Sequence, residues 1–71
     1  MEDLEWLLVE QDRRQFRVRQ AGPGEVVATP RGWEIAQDGD WVMAGDEHDR
    51  WVISTATLHK YFRVVASLVV P

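Results

Sequence analysis

The fold is decided by a stretch that reads Gly39-Asp40-Trp41-Val42-Met43-Ala44-Gly45, passes through an acidic segment, and resumes at Trp51-Val52-Ile53. Gly39 and Asp40 are typical turn residues, and Asp40 can accept hydrogen bonds from backbone amides of its own turn. The apolar residues on either side of the acidic segment are typical of β-strands. We therefore predict a β-hairpin whose loop is formed by residues 46–49.

The length of that loop sets the register of the hairpin, because neighbouring residues of a strand point to opposite faces of the sheet. A four-residue loop predicts one face with Trp41, Met43, Val52 and Ser54, and a second face with Val42, Ala44, Trp51 and Ile53. Both faces are then largely apolar, and each needs cover from the rest of the chain or from another molecule. We expect the core to form around Trp33, Trp41, Val42 and Ile53.

The segments before the hairpin predict three further strands and one ambiguous element. Phe16 and Val18 alternate with arginines, which indicates a half-buried strand. Glycine-bearing turns at 21–24, 30–32 and 37–40 separate short strands at 25–29 and 33–36. Residues 5–11 could form a first strand or a short helix, and the strand is favoured because the remainder of the chain is β-like.

After the hairpin, Ser54 to Thr57 offer an N-cap for one helical turn over 56–61, and a last strand is predicted over 62–70. The chain of 71 residues is long enough for a single small domain. The predicted fold is mainly β, a small antiparallel barrel or roll with one short helical turn. Cysteine is absent, so disulfides and thiolate zinc sites are excluded. With no long apolar run and no basic leader, a cytoplasmic protein without a membrane partner is expected.

Charge and motif content argue against several function classes. A net charge of −4 disfavours a general nucleic-acid-binding protein, because such proteins neutralise phosphates with cationic surfaces. No nucleophile elbow, triad pattern or calcium loop is visible, and acid–base catalysis needs a carboxylate with a positioned partner. We therefore expect no enzyme activity, no catalytic residue, no cofactor and no metal site.

Residues 28–62 resemble a family of small phage and bacterial proteins named for a Pro-Gly-Asp-Tyr-Gly signature, together with relatives that carry Gly-Asp-Trp. The resemblance rests on Thr29-Pro30-Arg31-Gly32-Trp33, on Gly39-Asp40-Trp41-Val42, and on Leu58 and Phe62. The chain departs from the pattern at Asp38, at 46–50 and at Val52. The resemblance implies a small β-rich fold in a phage or prophage setting, and it implies no chemistry.

Two sets of residues are candidates for contacts with a partner. The first combines an acidic loop with two tryptophans, and consists of Asp46, Glu47, Asp49, Trp51 and Trp6. Acidic side chains suit a basic target surface, and tryptophan is the commonest anchor of protein interfaces. The second is a basic strand of Arg13, Arg14, Arg17 and Arg19, which could bind nucleic acid or could simply protect a sheet edge.

The hypothesis that best fits this sequence is a non-enzymatic phage or prophage protein that binds a protein target stoichiometrically. An inhibitor of a host or defence function, in the manner of an anti-CRISPR protein, is one form of it. The alternative is a self-assembling β module, a homo-oligomer in which an identical chain covers the second apolar face. Nucleic-acid binding through the arginine strand ranks third.

Overall fold

A computed structural model of the chain describes residues 6–45 and 49–68. This part contains seven strands and one helix, in the order β1 (Trp6–Gln11), β2 (Arg14–Gln20), β3 (Val26–Thr29), β4 (Gly32–Ile35), β5 (Trp41–Ala44), β6 (Arg50–Ile53), α1 (Thr55–Tyr61) and β7 (Arg63–Leu68). The prediction of a mainly β protein with one short helix is confirmed. The ambiguous N-terminal segment is a strand, and Glu5 lies outside the described residues.

Five strands form one sheet in the order β6-β5-β2-β1-β7, and β3 and β4 form a separate two-stranded hairpin that packs against β6. All strand pairs are antiparallel. Because β6 and β7 lie at the two ends of the sheet order, the described strands form an open roll and not a closed barrel.

The core lies on one face of the five-stranded sheet. Strand alternation directs Val9, Phe16, Val18 and Met43 to this face, and the helix contributes Leu58. The flanking partly buried residues are Leu7, Trp41, Trp51, Ile53 and Phe62. Helix α1 begins at Thr55, one residue before the predicted start, because the Ser54 hydroxyl accepts the Thr57 N–H and so caps the first turn. The aromatic ring of Phe16 meets Trp51 and Phe62 edge to face, with centroid distances of 6.2 and 5.8 Å.

The register of the hairpin β5–β6 differs from the prediction by one residue. Ala44 pairs with Arg50 and Trp41 pairs with Ile53, so Trp41, Met43, Trp51 and Ile53 share the core face. The difference arises at Gly45, whose N–H donates to the Asp49 carbonyl at 3.2 Å and which therefore belongs to the loop. Five residues, 45–49, therefore separate the paired residues Ala44 and Arg50, where the sequence predicted four between paired residues, and the two faces of β6 are exchanged.

Two further expectations are wrong, one about the burial of a tryptophan and one about the position of β2 in the sheet. Trp33 was expected in the core, but it is 76% exposed, because it lies on the outward side of the small hairpin β3–β4 and not on the main sheet. The interpretation that the arginines of β2 protect a sheet edge also fails, since β2 is the central strand of the five. Trp41 and Ile53 are half-buried beside the core, and Val42 is buried on the other face of β5.

Candidate protein-binding surface

The outward side of the hairpin β3–β4 is apolar. Val26 pairs with Ile35, and Ala28 pairs with Trp33, which places these four side chains on one side of the hairpin. The three large ones are exposed, at 55% for Val26, 76% for Trp33 and 64% for Ile35. We call Val26, Trp33 and Ile35 the hairpin face. On the other side, Val27 and Ala36 are buried, so the hairpin is held against the molecule by its inner side.

An ion pair anchors the base of the hairpin to the central strand. The Arg19 guanidinium donates two hydrogen bonds to the Glu25 carboxylate, the Nη1–Oε1 bond being 2.9 Å long. These bonds hold the pKa of Glu25 at about 2, although partial burial opposes the shift, and the Gly22 N–H, at 2.9 Å from Oε1, lowers the pKa further. The Ala36 N–H donates to the Glu25 carbonyl at 2.8 Å. Glu25 therefore links the sheet, the preceding turn and the end of β4.

The tip of the hairpin is a compact turn held by Thr29. Its hydroxyl donates to the Gly32 carbonyl at 2.8 Å and accepts the Arg31 N–H at 3.2 Å. Gly32 has a φ of 118°, a conformation that residues with a side chain rarely adopt. The turn and the anchored base together fix the direction in which Trp33 projects.

A cleft of about 380 Å³ lies between this turn and strand β6. We call it the tip cleft, and it is lined by Thr29, Pro30, Arg31, Glu34, Trp51 and Val52. Glu34 is the immediate neighbour of Trp33 on β4 and so points to the opposite side of the hairpin. Among the described residues, neither Arg31 nor Glu34 takes part in an ion pair.

The residues that the sequence placed in one acidic and aromatic surface are not brought together. Asp46 and Glu47 lie outside the described residues. Asp49 is half-buried, and its carbonyl accepts the Gly45 N–H and a hydrogen bond from Arg50 Nη1 at 2.9 Å. Trp51 is half-buried beside the core and lines the tip cleft. Trp6 lies on the opposite face of the sheet from the core residue Val9.

The four arginines of the alternative basic surface are divided between the two faces of the sheet. Arg14 lies over the ring of Phe16 on the core face, whereas Arg17 and Arg19 lie over the ring of Trp6 on the other face, at 5.5 and 5.7 Å from its centroid. Arg13 lies in the turn between β1 and β2. The charge of Arg19 is offset by Glu25. A continuous basic surface is therefore not formed by these four side chains.

The described residues contain no group of three or more metal-ligating side chains. The carboxylate of Asp40 accepts the Gln37 N–H at 2.9 Å, and the neighbouring Gly39 has a φ of 86°, which confirms the predicted turn role of this pair. Across the described part of the chain, every helix is too short or too polar to cross a membrane.

Comparisons with protein-family models, with curated proteins and with solved structures found no match to this chain. The resemblance to the Pro-Gly-Asp-Tyr-Gly family therefore stays a prediction, and the function has to be argued from the geometry of the surface.

Sequence reasoning missed Trp33, Val26 and Ile35 as surface residues. A signal was present in the strand pattern, since Val26 and Ala28 alternate with Val27, and Trp33 and Ile35 alternate with Glu34 and Ala36. A hairpin with apolar residues on both sides and only four residues in each strand can bury one side and leave the other outward. The sequence does not indicate which side is buried.

Proposed function

We propose that this protein is a non-enzymatic binding protein that acts by stoichiometric contact with a protein target, and that the hairpin face makes the contact. The observation that carries the proposal is the exposure of Trp33 beside the exposed pair Val26 and Ile35, on a hairpin whose base is held by the Arg19–Glu25 ion pair. Tryptophan contributes more to interface energies than almost any other residue, because a large ring is desolvated at a small entropic cost.

The size of the hairpin face supports a specific contact. From the exposed fractions, its three side chains present about 400 Å² of apolar surface, which is within the range of functional patches on small proteins. A standard interface covers about 800 Å² on each partner. The apolar residues would thus form the centre of the contact, and the polar residues around the hairpin would form its rim.

A target that such a hairpin would contact is a protein with an apolar pocket that accepts an indole ring. Blocking a functional surface of a host or defence protein is a mode of action that needs only this contact and no catalytic group. It fits the phage or prophage setting that the family resemblance implies. Self-assembly is the second candidate function, and the tip cleft on the other side of the hairpin favours it.

The proposal is tested by quantitative affinity capture with three immobilised proteins: the wild type, Trp33→Ser and Tyr61→Ser. Tyr61 is a matched control, because it is also an exposed aromatic residue, at 51%, but lies at the end of α1 and outside the hairpin face. Proteins that bind through the hairpin face are captured by the wild type and by Tyr61→Ser but not by Trp33→Ser. A captured protein is then purified, and light scattering checks for a complex of fixed stoichiometry. Equal capture by all three proteins would refute the assignment of this surface.

A further inference from the structure

We propose that the tip cleft is a binding site for an indole ring, and that its occupant is Trp33 of a second copy of this chain. The inference rests on the proposed function, because the same tryptophan is the contact residue in both. It names one partner of the hairpin face, and it assigns a role to a cleft that binding of a target does not use.

The chemistry of the cleft matches an indole. Pro30 and Val52 provide apolar walls, against which the flat ring of an indole can pack, and Trp51 also lines the cleft. The Arg31 guanidinium is a cation that is attracted to the face of a tryptophan ring. The Glu34 carboxylate accepts hydrogen bonds only, and the indole N–H is a donor only. Among the described residues both charged groups lack an ion-pair partner, so both are available to a ligand.

Trp33 is the side chain on this molecule that best complements the cleft. It is the most exposed of the large apolar residues in the described part of the chain. Its Nε1–H has no hydrogen-bond partner among the described residues, unlike that of Trp41, which donates to the Thr55 hydroxyl at 2.9 Å. A volume of about 380 Å³ is within the range of clefts that bind small ligands, so one indole ring can enter.

The arrangement of these two features dictates the type of assembly. Trp33 and Glu34 are adjacent on β4 and point to opposite sides, so a molecule cannot place its own Trp33 in its own cleft. Each contact uses the hairpin face of one copy and the tip cleft of the next, which is a heterologous contact that leaves one free feature at each end. Chains or rings result, and their mass depends on concentration. The contact is weak, because the hairpin face presents about 400 Å², about half of what one partner contributes to a standard interface.

Sedimentation equilibrium tests the inference on the full-length protein between about 10 µM and about 1 mM, the range in which contacts of this size associate. Wild type and Tyr61→Ser are expected to show a mean mass that rises about twofold or more across this range. Trp33→Ser and the cleft variant Glu34→Lys are expected to stay monomeric. Arg31→Glu is a second cleft variant, with an expected loss of about tenfold in the association constant, and melting curves establish which variants are folded.

A mixing experiment gives the sharpest test. Trp33→Ser retains an intact cleft, and Glu34→Lys retains an intact Trp33, so an equimolar mixture should form a 1:1 heterodimer and nothing larger. A wild type that remains monomeric, a folded Trp33→Ser that assembles like the wild type, or a mixture that forms no heterodimer would each overturn the inference. These outcomes leave the proposed function standing if Trp33→Ser still fails to capture a target. If the wild type assembles as expected but Trp33→Ser captures a target as well as the wild type does, the proposed function is refuted instead.

Discussion

Replacing Glu25 with glutamine should weaken the protein in a pH-dependent way. Glutamine keeps an oxygen that can accept the Gly22 N–H, but it removes the charge that pairs with Arg19. The pKa of Glu25 falls from 4.5 to about 2 in the folded protein, chiefly through the hydrogen bonds from Arg19. At about 1.4 kcal/mol for each pKa unit, a ceiling of about 3 kcal/mol follows. The two side chains remain 16% and 26% exposed, so solvent screening reduces the expected loss in the free energy of unfolding to about 1–2 kcal/mol at neutral pH.

The direction of the pH dependence follows from the lowered pKa. A carboxylate whose folded pKa lies below its unfolded value stabilises the protein fully above about pH 4.5, and this contribution disappears as the pH falls to about 2. Wild type should therefore be more stable than Glu25→Gln at neutral pH, and the two proteins should become equally stable near pH 2. Urea unfolding followed by tryptophan fluorescence, repeated at several pH values, measures the difference.

Glu10→Gln is the matched control for this experiment. Glu10 is also paired with an arginine, and the hydrogen bond from Arg63 lowers its pKa, but Arg63 is 74% exposed. An exposed ion pair contributes little to stability, so this variant should unfold almost like the wild type at all pH values. If wild type and Glu25→Gln differed by a constant amount from acid to neutral pH, Glu25 would act through its shape and not its charge. The ion pair would then not be what anchors the hairpin that carries Trp33.

Three further predictions concern the turns and the arginine strand. Arg13→Gly should raise the free energy of unfolding by roughly 0.5–1 kcal/mol in urea unfolding, because Arg13 has a φ of 67° in a two-residue hairpin turn and glycine adopts that conformation without strain; a lower stability would contradict the turn assignment. Gly45→Ala should cost about 1–2 kcal/mol in the same assay, since its Cβ would lie 3.0 Å from the ring of Trp51, and an unchanged free energy of unfolding would show that the ring moves aside freely. Mixed-sequence DNA and RNA should not bind at physiological salt in fluorescence anisotropy, because the arginines are divided between two faces; micromolar binding that is lost in an Arg17→Gln, Arg19→Gln double variant would restore the nucleic-acid hypothesis.

Local chemistry is sufficient to predict most of the elements of this fold. Period-two alternation around Phe16 and Val18 indicates β2, and the Gly39-Asp40 pair indicates the turn before β5. The Ser54 cap indicates where α1 begins. Each of these features depends on interactions between residues that are close in the sequence, so each can be predicted without knowledge of the tertiary structure.

The candidate site could not be predicted in the same way. Trp33 and Trp41 both follow a glycine-bearing turn, and each belongs to a four-residue strand. Trp33 is nevertheless exposed, whereas Trp41 packs beside the core. What separates them is that β5 pairs with the central strand β2, whereas β4 pairs only with β3. Pairing partners are distant in the sequence, and alternation alone does not specify them.

The sequence by itself determined most of the strands and turns, the helix cap and the mainly β character of this protein, because these follow from backbone preferences and side-chain alternation over a few residues. Only the tertiary structure decided the pairing register of the hairpin β5–β6 and the central position of β2. It also decided the pairing of Arg19 with Glu25 and the outward direction of Trp33. These features depend on which strands meet across the sheet and on which side of a small hairpin finds cover. Burial is a property of the assembled molecule, so residues of the same type can serve as core in one strand and as a binding surface in the next.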